Sequence, residues 1–280
     1  MDLVRASHLY KVFGKNERQV IERLKAGESR EELASLGTAA VIDVSFEVAK
    51  GETFVVMGLS GSGKSTLIRM INGLWSPSEG TVEVAGKVVS DMNDAQLRVL
   101  RRDHVSMVFQ HFALLPHLTV RENAAYGLKL QGKLKQKERL EKANEWLNTV
   151  GLNGWGDKYP HQLSGGMQQR VGLARALAAE TDILLMDEAF SALDPLIRRE
   201  MQDQLLELQG ALNKTIIFIT HDLNEAMYLG DHIAVMRNGR VAQIGTSDEI
   251  LTQPADDYVA DFVQDVDRSR VLTASAVMRP

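Results

Sequence analysis

A glycine-rich loop at residues 58–65 constrains the fold of this chain more than any other feature of its sequence. The loop reads Gly58-Leu-Ser-Gly-Ser-Gly-Lys-Ser65 and fits the phosphate-binding pattern G-x-x-x-x-G-K-[ST]. It follows the apolar run Phe54-Val-Val-Met57, which predicts a buried strand, and it leads into a helical stretch at residues 65–72. Strand, loop and helix in this order are the context that the pattern requires, so we predict a phosphate-binding loop inside an α/β domain.

The residue types of this loop point to ATP bound together with Mg²⁺. Glycines allow consecutive backbone N–H groups to face phosphate oxygens, and the helix N-terminus adds a partial positive charge. Lys64 is expected to meet the β- and γ-phosphates, and Ser65 to bind Mg²⁺. The alternative is a fortuitous glycine loop. The predicted nucleotide-binding residues of the loop are Gly58, Ser60, Gly61, Ser62, Gly63, Lys64, Ser65 and Thr66.

Predicted strands and helices alternate along most of the chain, which indicates an α/β fold with a mostly parallel sheet. Besides the strand before the loop, strands are predicted at residues 3–13, 41–48, 104–110, 183–186, 216–220, 233–236 and 241–244. Helices are predicted at residues 164–179, 195–210 and 223–229.

Three segments depart from this alternation. Residues 14–40 are rich in Glu, Arg and Lys and predict an insertion of one or two surface helices. Residues 77–89, punctuated by Gly80 and Gly86, predict short antiparallel strands. Residues 110–164 are mainly helical in pattern, so we expect an α-helical subdomain there.

Two carboxylates follow the apolar strand Ile183-Leu-Leu-Met186. The carboxyl ends of parallel strands are where α/β sheets bind ligands. Asp187 is therefore expected to hold Mg²⁺ through water, and Glu188 to take a proton from an attacking water, a role worth about 10²–10⁴ in rate. The alternative is a carboxylate pair that only caps a loop.

Two further polar residues end predicted strands. His221 is interpreted as a γ-phosphate contact that positions water, although a lone histidine at a strand end is more often a helix cap or a surface residue. The amide of Gln110 would touch Mg²⁺ or the attacking water, but glutamine ends many strands.

A second anion-binding turn occurs at Ser164-Gly165-Gly166, where a hydroxyl and two free amides open a helix. One nucleotide needs one phosphate loop, so a second turn of this kind is expected to complete the site of another molecule. The alternative is an ordinary serine N-cap followed by turn glycines, and composition does not decide between the two.

Composition limits the remaining function classes. A net charge of -5 and a pI of about 5.8 disfavour a nucleic-acid partner. The chain has no cysteine, which excludes disulfides and thiolate metal sites. Its apolar runs are far shorter than the ~20 residues of a membrane helix, and no signal peptide is indicated, so a membrane role would act through a partner.

Taken together, these segments resemble the nucleotide-binding subunit of ATP-binding-cassette transporters, from Leu3 to about Val266. The resemblance rests on six features in this order: the phosphate loop, Gln110 before Phe112-Ala-Leu-Leu-Pro116, Leu163-Ser-Gly-Gly-Met167, the 183–188 strand end, Ser191-Ala-Leu-Asp194 and His221. The insertion and the phrase Asp187-Glu-Ala-Phe-Ser-Ala-Leu-Asp-Pro-Leu-Ile-Arg198 are similar to the glycine betaine/proline/choline uptake branch. Met167 and Ala189 replace the usual Gln and Pro of the wider family, as is typical of that branch.

The resemblance implies a P-loop NTPase core and a head-to-tail homodimer with two ATP molecules between the chains. Lys64, Ser65 and Gln110 of one chain would hold a nucleotide that Ser164, Gly165 and Gly166 of the other chain cap. Phe13 would stack on adenine, its alternative being a core phenylalanine, and Asp194 would line the dimer seam. The stretch 110–118 and the helices after it would contact a transmembrane permease subunit.

The implied function is the ATP-hydrolysing subunit of an importer for a quaternary ammonium solute, at the cytoplasmic face of the inner (plasma) membrane. Permease subunits and a periplasmic or extracellular solute-binding protein would be its partners, with no nucleic acid. Another small solute, such as an amine oxide or an amino acid, is the alternative cargo, and a non-transport ATPase is a more distant one. The predicted domain is 1–266, with an insertion at about 15–40 and a helical subdomain at about 111–175. The tail 267–280 resembles the start of a cystathionine-β-synthase-type regulatory module, expected to be truncated.

Overall fold

The structure, a computed structural model, describes residues 2–264, and these fall into two compact units. The first unit comprises residues 2–92 and 219–264, and the second comprises residues 93–218. The predicted regulatory tail at 267–280 lies outside the described residues. The predicted domain limits, with a helical subdomain at about 111–175, stay a prediction.

An antiparallel sheet forms one part of the first unit. Its strand order is β2-β1-β4-β5, and Arg5 of β1 lies opposite Glu47 of β2. Along the second half of β2, Val44, Phe46 and Val48 are buried while the residues between them are exposed, the period of two that the sequence predicted. The strands are β1 (Asp2–Phe13), β2 (Thr38–Ala49), β4 (Glu79–Val84) and β5 (Lys87–Val88).

The inserted segment contributes a single helix, α1 (Glu17–Lys25), where the sequence allowed one or two. Its apolar face packs into a cluster with residues of β1 and β2 and with Leu33. Gly27 adopts φ 98, and the N–H groups of Gly27 and Glu28 bond back to Leu24 and Arg23. This glycine termination ends the helix, and residues 30–36 form turns.

The other part of the first unit contains one parallel and one antiparallel strand pair. Strand β3 is buried along its whole length and pairs in parallel with β9, Gly58 lying opposite Met236. Strand β10 pairs antiparallel with β9. The elements of this part are β3 (Thr53–Gly58), α2 (Lys64–Ile71), α9 (Leu223–Leu229), β9 (His232–Arg237), β10 (Arg240–Gly245), α10 (Ser247–Thr252) and α11 (Asp257–Phe262).

The second unit is largely helical. The central helix α7 is buried over most of its length, and helices α4 and α6 pack against it. Strands β6 and β7 pair in parallel, with Val105 opposite Ile183. Strand β8 (Thr215–Thr220) runs across the boundary between the units. The other elements are α3 (Asp94–Asp103), β6 (Val105–Val108), α4 (Val120–Ala124), α5 (Tyr126–Gln131), α6 (Gln136–Thr149), α7 (Gly165–Ala178), β7 (Ile183–Asp187) and α8 (Pro195–Leu212).

Three helices had no counterpart in the sequence prediction, and each begins at a side-chain cap. Asn93 and Gln96 form a capping box at the start of α3, and Thr246 and Glu249 form another at α10. Asp256 caps α11. In residues 2–264, no helix is long and apolar enough to cross a membrane.

Candidate functional site

The glycine-rich loop connects β3 to α2, as its sequence predicted. Gly58 has φ 147 and Gly63 has φ 104, backbone conformations that favour glycine. A Cβ on Gly58 would lie 2.3 Å from the carbonyl oxygen of Met236, and one on Gly63 would lie 2.2 Å from that of Ala40. The loop therefore approaches neighbouring backbone so closely that no side chain fits at either position.

Lys64 is the first residue of α2 and is 4% exposed. Its Nζ donates hydrogen bonds to the carbonyl oxygens of Gly58 (2.8 Å) and Leu59 (3.1 Å), so its ammonium lies within the curve of the loop. Ser65 and Thr66 follow in the first helical turn, where backbone N–H groups lack intrahelical acceptors. A buried cation and a helix N-terminus together fit the phosphates of a nucleotide.

The remaining loop residues divide into an exposed tip and a buried hydroxyl. Ser60 and Gly61 are exposed, and the guanidinium of Arg30 from the inserted segment donates to the carbonyl of Gly61 at 3.4 Å. The side chain of Ser62 is buried, and its N–H donates to the carbonyl of Leu59 at 3.2 Å. Nucleotide contact by these residues stays a prediction.

Gly63→Ala is expected to lower the free energy of unfolding by about 1–3 kcal/mol and to weaken nucleotide binding, because alanine would be strained and would press on the Ala40 carbonyl. Urea unfolding followed by tryptophan fluorescence measures the loss. Gly61→Ala is the matched control, since Gly61 also has a positive φ (77) but an added Cβ meets nothing within 4 Å. Equal losses in the two variants would show that the close approach at Gly63 does not matter.

Phe13 ends β1 and is 38% exposed, so it is not the core phenylalanine that the sequence left as an alternative. Its ring meets the ring of Trp75 edge to face at 5.0 Å, and the guanidinium of Arg69 lies 4.7 Å from the Trp75 ring. Sequence reasoning missed Trp75, because 62 residues separate it from Phe13 (75 minus 13). An exposed, laterally supported ring fits stacking on a base, which stays a prediction for Phe13.

His221 follows β8 and is exposed. The cap of the next helix is Asp222, whose carboxylate accepts from the N–H groups of Asn224 (2.9 Å) and Glu225 (3.2 Å), so His221 is not the helix cap. The hydroxyl of Thr220 donates to the buried carboxylate of Glu225, which fixes the strand end on which His221 sits. Its γ-phosphate role stays a prediction.

In the second unit, the structure brings Gln110 and Glu188 together. Both follow the parallel strands β6 and β7, and Nε2 of Gln110 donates to Oε2 of Glu188 and to the hydroxyl of Ser191, each at 3.3 Å. Gln110 lies two residues beyond the end of β6 at Val108, in a turn. Asp187 is the last residue of β7. The predicted base and the predicted amide therefore share one hydrogen-bonded site.

Glu188 has φ 47, a left-handed conformation that costs a non-glycine residue about 1–3 kcal/mol. Ser191 stabilises this turn, since its N–H (3.1 Å) and its hydroxyl (2.8 Å) both donate to the Glu188 carbonyl. Strain of this kind concentrates at functional sites. The sequence signalled Glu188 by its place after an apolar strand, but gave no signal for Ser191 as its support.

The Ser164 turn opens α7 as predicted. The hydroxyl of Ser164 accepts from the N–H of Met167 at 3.4 Å, so the serine is an N-cap within its own chain. Gly165 is exposed, whereas a Cβ on Gly166 would lie 2.8 Å from Ile197 of α8. Asp194 caps α8 through the N–H of Ile197 at 3.1 Å. The capping of a partner's nucleotide and a place for Asp194 at a dimer seam stay predictions.

The metal prediction rests on Ser65, Gln110 and Asp187. Among residues 2–264, no group of three or more His, Asp or Glu side chains could hold a metal ion by itself. Mg²⁺ bound to a nucleotide takes one or two carboxylates and completes its shell with phosphate oxygens and waters. A hydroxyl, an amide and a single carboxylate are ligand types of that mode, and a magnesium site that joins these three residues stays a prediction.

One protein family matches the part of the chain that contains most of these residues. The family described as "ABC transporter" matches residues 41–191, which include the glycine-rich loop, Gln110, the Ser164 turn and Glu188.

Two curated relatives align with nearly the whole chain. "Glycine betaine transport ATP-binding protein OpuAA" of Bacillus subtilis (strain 168) is 54% identical over 278 residues, covering 99% of this chain and 66% of the relative. "Trimethylamine N-oxide transport system ATP-binding protein TmoW" of Ruegeria pomeroyi (strain ATCC 700808 / DSM 15171 / DSS-3) is 48% identical over 278 residues, covering 99% of this chain and 82% of the relative. The chain thus spans slightly less than two thirds of the length of the first relative.

A solved structure supports the fold. The dimeric structure of a post-hydrolysis state of the ATP-binding cassette MJ0796, bound to ADP and Pi, superposes with a TM-score of 0.75 and 32% sequence identity. The superposition covers 87% of this chain and 98% of that one. The predicted α/β fold with a P-loop NTPase core is confirmed.

Proposed function

The chain belongs to the ABC transporter family, and on this premise we propose that it is the ATP-hydrolysing subunit of a membrane importer for a quaternary ammonium solute. The observation that carries the proposal is the pairing of Gln110 with the strained Glu188, in a chain that also has a complete phosphate-binding loop. A strained carboxylate at the end of a buried strand fits a catalytic base better than a surface charge.

Hydrolysis would use the residues predicted from the sequence. The loop N–H groups and the Lys64 ammonium would hold the β- and γ-phosphates, Phe13 would contact adenine, and His221 would orient the attacking water. Glu188 would accept the proton of that water. Mg²⁺ held by Ser65, Gln110 and Asp187 would neutralise charge on the phosphates when bound.

The active form would be a head-to-tail homodimer. The MJ0796 structure to which this chain is similar is a dimer that holds ADP and Pi. In such an arrangement, the N–H groups at Ser164, Gly165 and Gly166 would complete the nucleotide site of the partner subunit, because a helix N-terminus attracts the γ-phosphate. Asp194, which caps the neighbouring helix α8, would lie at the seam between the chains.

The cargo and the other partners follow from the relatives. OpuAA is named as a glycine betaine transport ATP-binding protein, and it shares 54% of its aligned residues with this chain. The chain would act at the cytoplasmic face of the plasma membrane, bound to permease subunits through residues 110–118 and the helices that follow. A periplasmic or extracellular binding protein would deliver the solute.

Trimethylamine N-oxide is the second candidate cargo, because TmoW is named as part of its transport system and is 48% identical to this chain. The two solutes differ in charge distribution, so a binding protein and a permease would distinguish them. The domain limits at 1–266 remain part of the same proposal.

An importer assembled from this chain with its proposed permease and binding-protein partners tests the cargo. In proteoliposomes, glycine betaine is expected to raise the rate of ATP hydrolysis above its basal value, because solute binding would favour the hydrolysing state of the importer. Labelled solute should accumulate only when ATP is supplied. The same importer carrying Glu188→Gln is the control and should accumulate none. Accumulation of trimethylamine N-oxide with no response to glycine betaine would contradict the proposed cargo.

A further inference from the structure

The turn that follows Gln110 contains two consecutive residues in the left-handed region. Phe112 has φ 57 and Ala113 has φ 46, although neither is glycine, asparagine or aspartate. Each such residue is disfavoured because its Cβ crowds the neighbouring carbonyl oxygen. A turn of this kind persists only where surrounding contacts hold it.

Arg175 of α7 supplies two of those contacts, in addition to the backbone hydrogen bonds from the Phe112 N–H to Phe109 (3.3 Å) and from the Ala113 N–H to His111 (2.5 Å). Its Nη2 donates to the carbonyl oxygen of Phe112 at 3.1 Å, and its Nη1 donates to that of Ala113 at 2.6 Å. The planar guanidinium matches two neighbouring acceptors, which an ammonium group does not. Arg175 is partly buried, and this burial lowers the pKa of its guanidinium from the ordinary value.

The same face of α7 also receives Phe112. A Cβ added to Gly165 would lie 3.5 Å from the Phe112 ring, and one added to Gly172 would lie 3.7 Å from the Phe112 carbonyl. Positions 165 and 172 are two helical turns apart and therefore share a face. Small residues on that face let the turn lie against the helix, with Arg175 one turn further along.

We propose that Arg175 is a positioning residue that holds the strained turn at Phe112 and Ala113, and thereby keeps the amide of Gln110 on Glu188. Gln110 is two residues before Phe112 and bonds to Glu188 and Ser191. The inference rests on the proposed catalytic roles of Gln110 and Glu188. It adds a second role for α7. The helix begins at the Ser164 turn, and Arg175, about 16 Å further along the helix axis, sets the position of Gln110.

The test uses Arg175→Ala in the full chain. We expect kcat for ATP hydrolysis to fall about 10–100-fold, because two left-handed residues lose their support, while KM for ATP changes less than about twofold. Adding Ala113→Gly should recover about tenfold in kcat, since glycine adopts the left-handed conformation without strain. Arg175→Lys keeps the charge but not the forked pair of donors, so its kcat should lie between those of the wild type and Arg175→Ala.

Arg170→Ala is the matched control. Arg170 lies on the same helix and also donates to a backbone carbonyl, that of Val150 at 3.0 Å, whose φ is an ordinary -87. Ala113→Gly should not rescue any loss in this variant. If Arg175→Ala does not fold, the experiment uses Ala113→Val in the otherwise unchanged chain instead. This variant should have a lower kcat than the wild type, because a β-branched residue is more strained than alanine at φ 46.

Hydrogen exchange separates this inference from the proposed function. Arg175→Ala should speed exchange of the Phe112 and Ala113 amides and spare that of Leu115, which bonds independently to Asn123 at 2.8 Å. Wild-type kcat in Arg175→Ala together with a defective Gln110→Ala would overturn the positioning role alone. Wild-type kcat in Gln110→Ala with faster exchange in Arg175→Ala would overturn the catalytic role of Gln110 and leave the support of the turn intact.

Discussion

Glu188→Gln is expected to reduce steady-state ATP hydrolysis by about 10²–10⁴-fold while ATP still binds. The amide has nearly the same shape as the carboxylate but does not accept the proton of the attacking water. Its oxygen still accepts from Nε2 of Gln110, and the strained backbone turn held by Ser191 is unchanged. The loss should therefore fall on kcat, with binding of a fluorescent ATP analogue close to wild type.

Glu180→Gln is the matched control for that experiment. Glu180 is also left-handed (φ 50) and follows the end of α7, but its carboxylate pairs with Lys142 at 2.6 Å on the surface. It should retain wild-type hydrolysis. Near wild-type turnover in Glu188→Gln would refute the general-base role, and a parallel loss of ATP binding would mean that the substitution damaged the fold.

Gly165→Asp is expected to reduce hydrolysis in the homodimer by about 10²-fold or more without lowering stability. An added Cβ at Gly165 makes only an ordinary 3.5 Å contact with the Phe112 ring, so the fold accommodates it. A negative charge in the first turn of α7 is favourable for the helix itself. The same charge would repel the γ-phosphate of the nucleotide bound by the partner subunit, and removing one such stabilising site costs about 10²–10³ in rate.

Thermal unfolding and ATPase assays on the same sample check this separation of effects. Gly210→Asn, on α8 with nothing within 4 Å of the added Cβ, is the control for an added side chain of the same size and should keep both properties. A Gly165→Asp protein that unfolds at a lower temperature in proportion to its lost activity would assign the defect to folding. Full activity in Gly165→Asp would remove the Ser164 turn from the nucleotide site.

The parts of the site that sequence predicted are those encoded by local pattern. The spacing of its residues is enough to predict the glycine-rich loop. Glu188 was predicted from its place after an apolar strand, and the Ser164 turn from its two glycines. The capping-box residues Asn93 and Gln96 are a local sequence signal for the start of α3 as well, but the sequence prediction did not include this helix. Helix α1 ends at a glycine that the sequence also displays.

The parts that sequence did not predict depend on contacts between distant residues. The residue types at Phe112 and Ala113 do not predict a left-handed turn, because phenylalanine and alanine normally avoid that conformation. Arg175, more than 60 residues away, donates a hydrogen bond to each of their carbonyls (175 minus 113 is 62). Trp75 beside Phe13 is a case of the same kind.

The central claim is that each nucleotide is held by the loop of one chain and capped by the Ser164 turn of the other. Mixing a Lys64→Ala chain with a Gly165→Asp chain measures it directly. A mixed dimer has one site with both defects and one with neither, so random pairing should restore about a quarter of the wild-type sites. Hydrolysis well above that of either variant alone is the predicted result. Hydrolysis no higher than in the separate variants would show that the loop and the turn serve the same chain, and would contradict the claim.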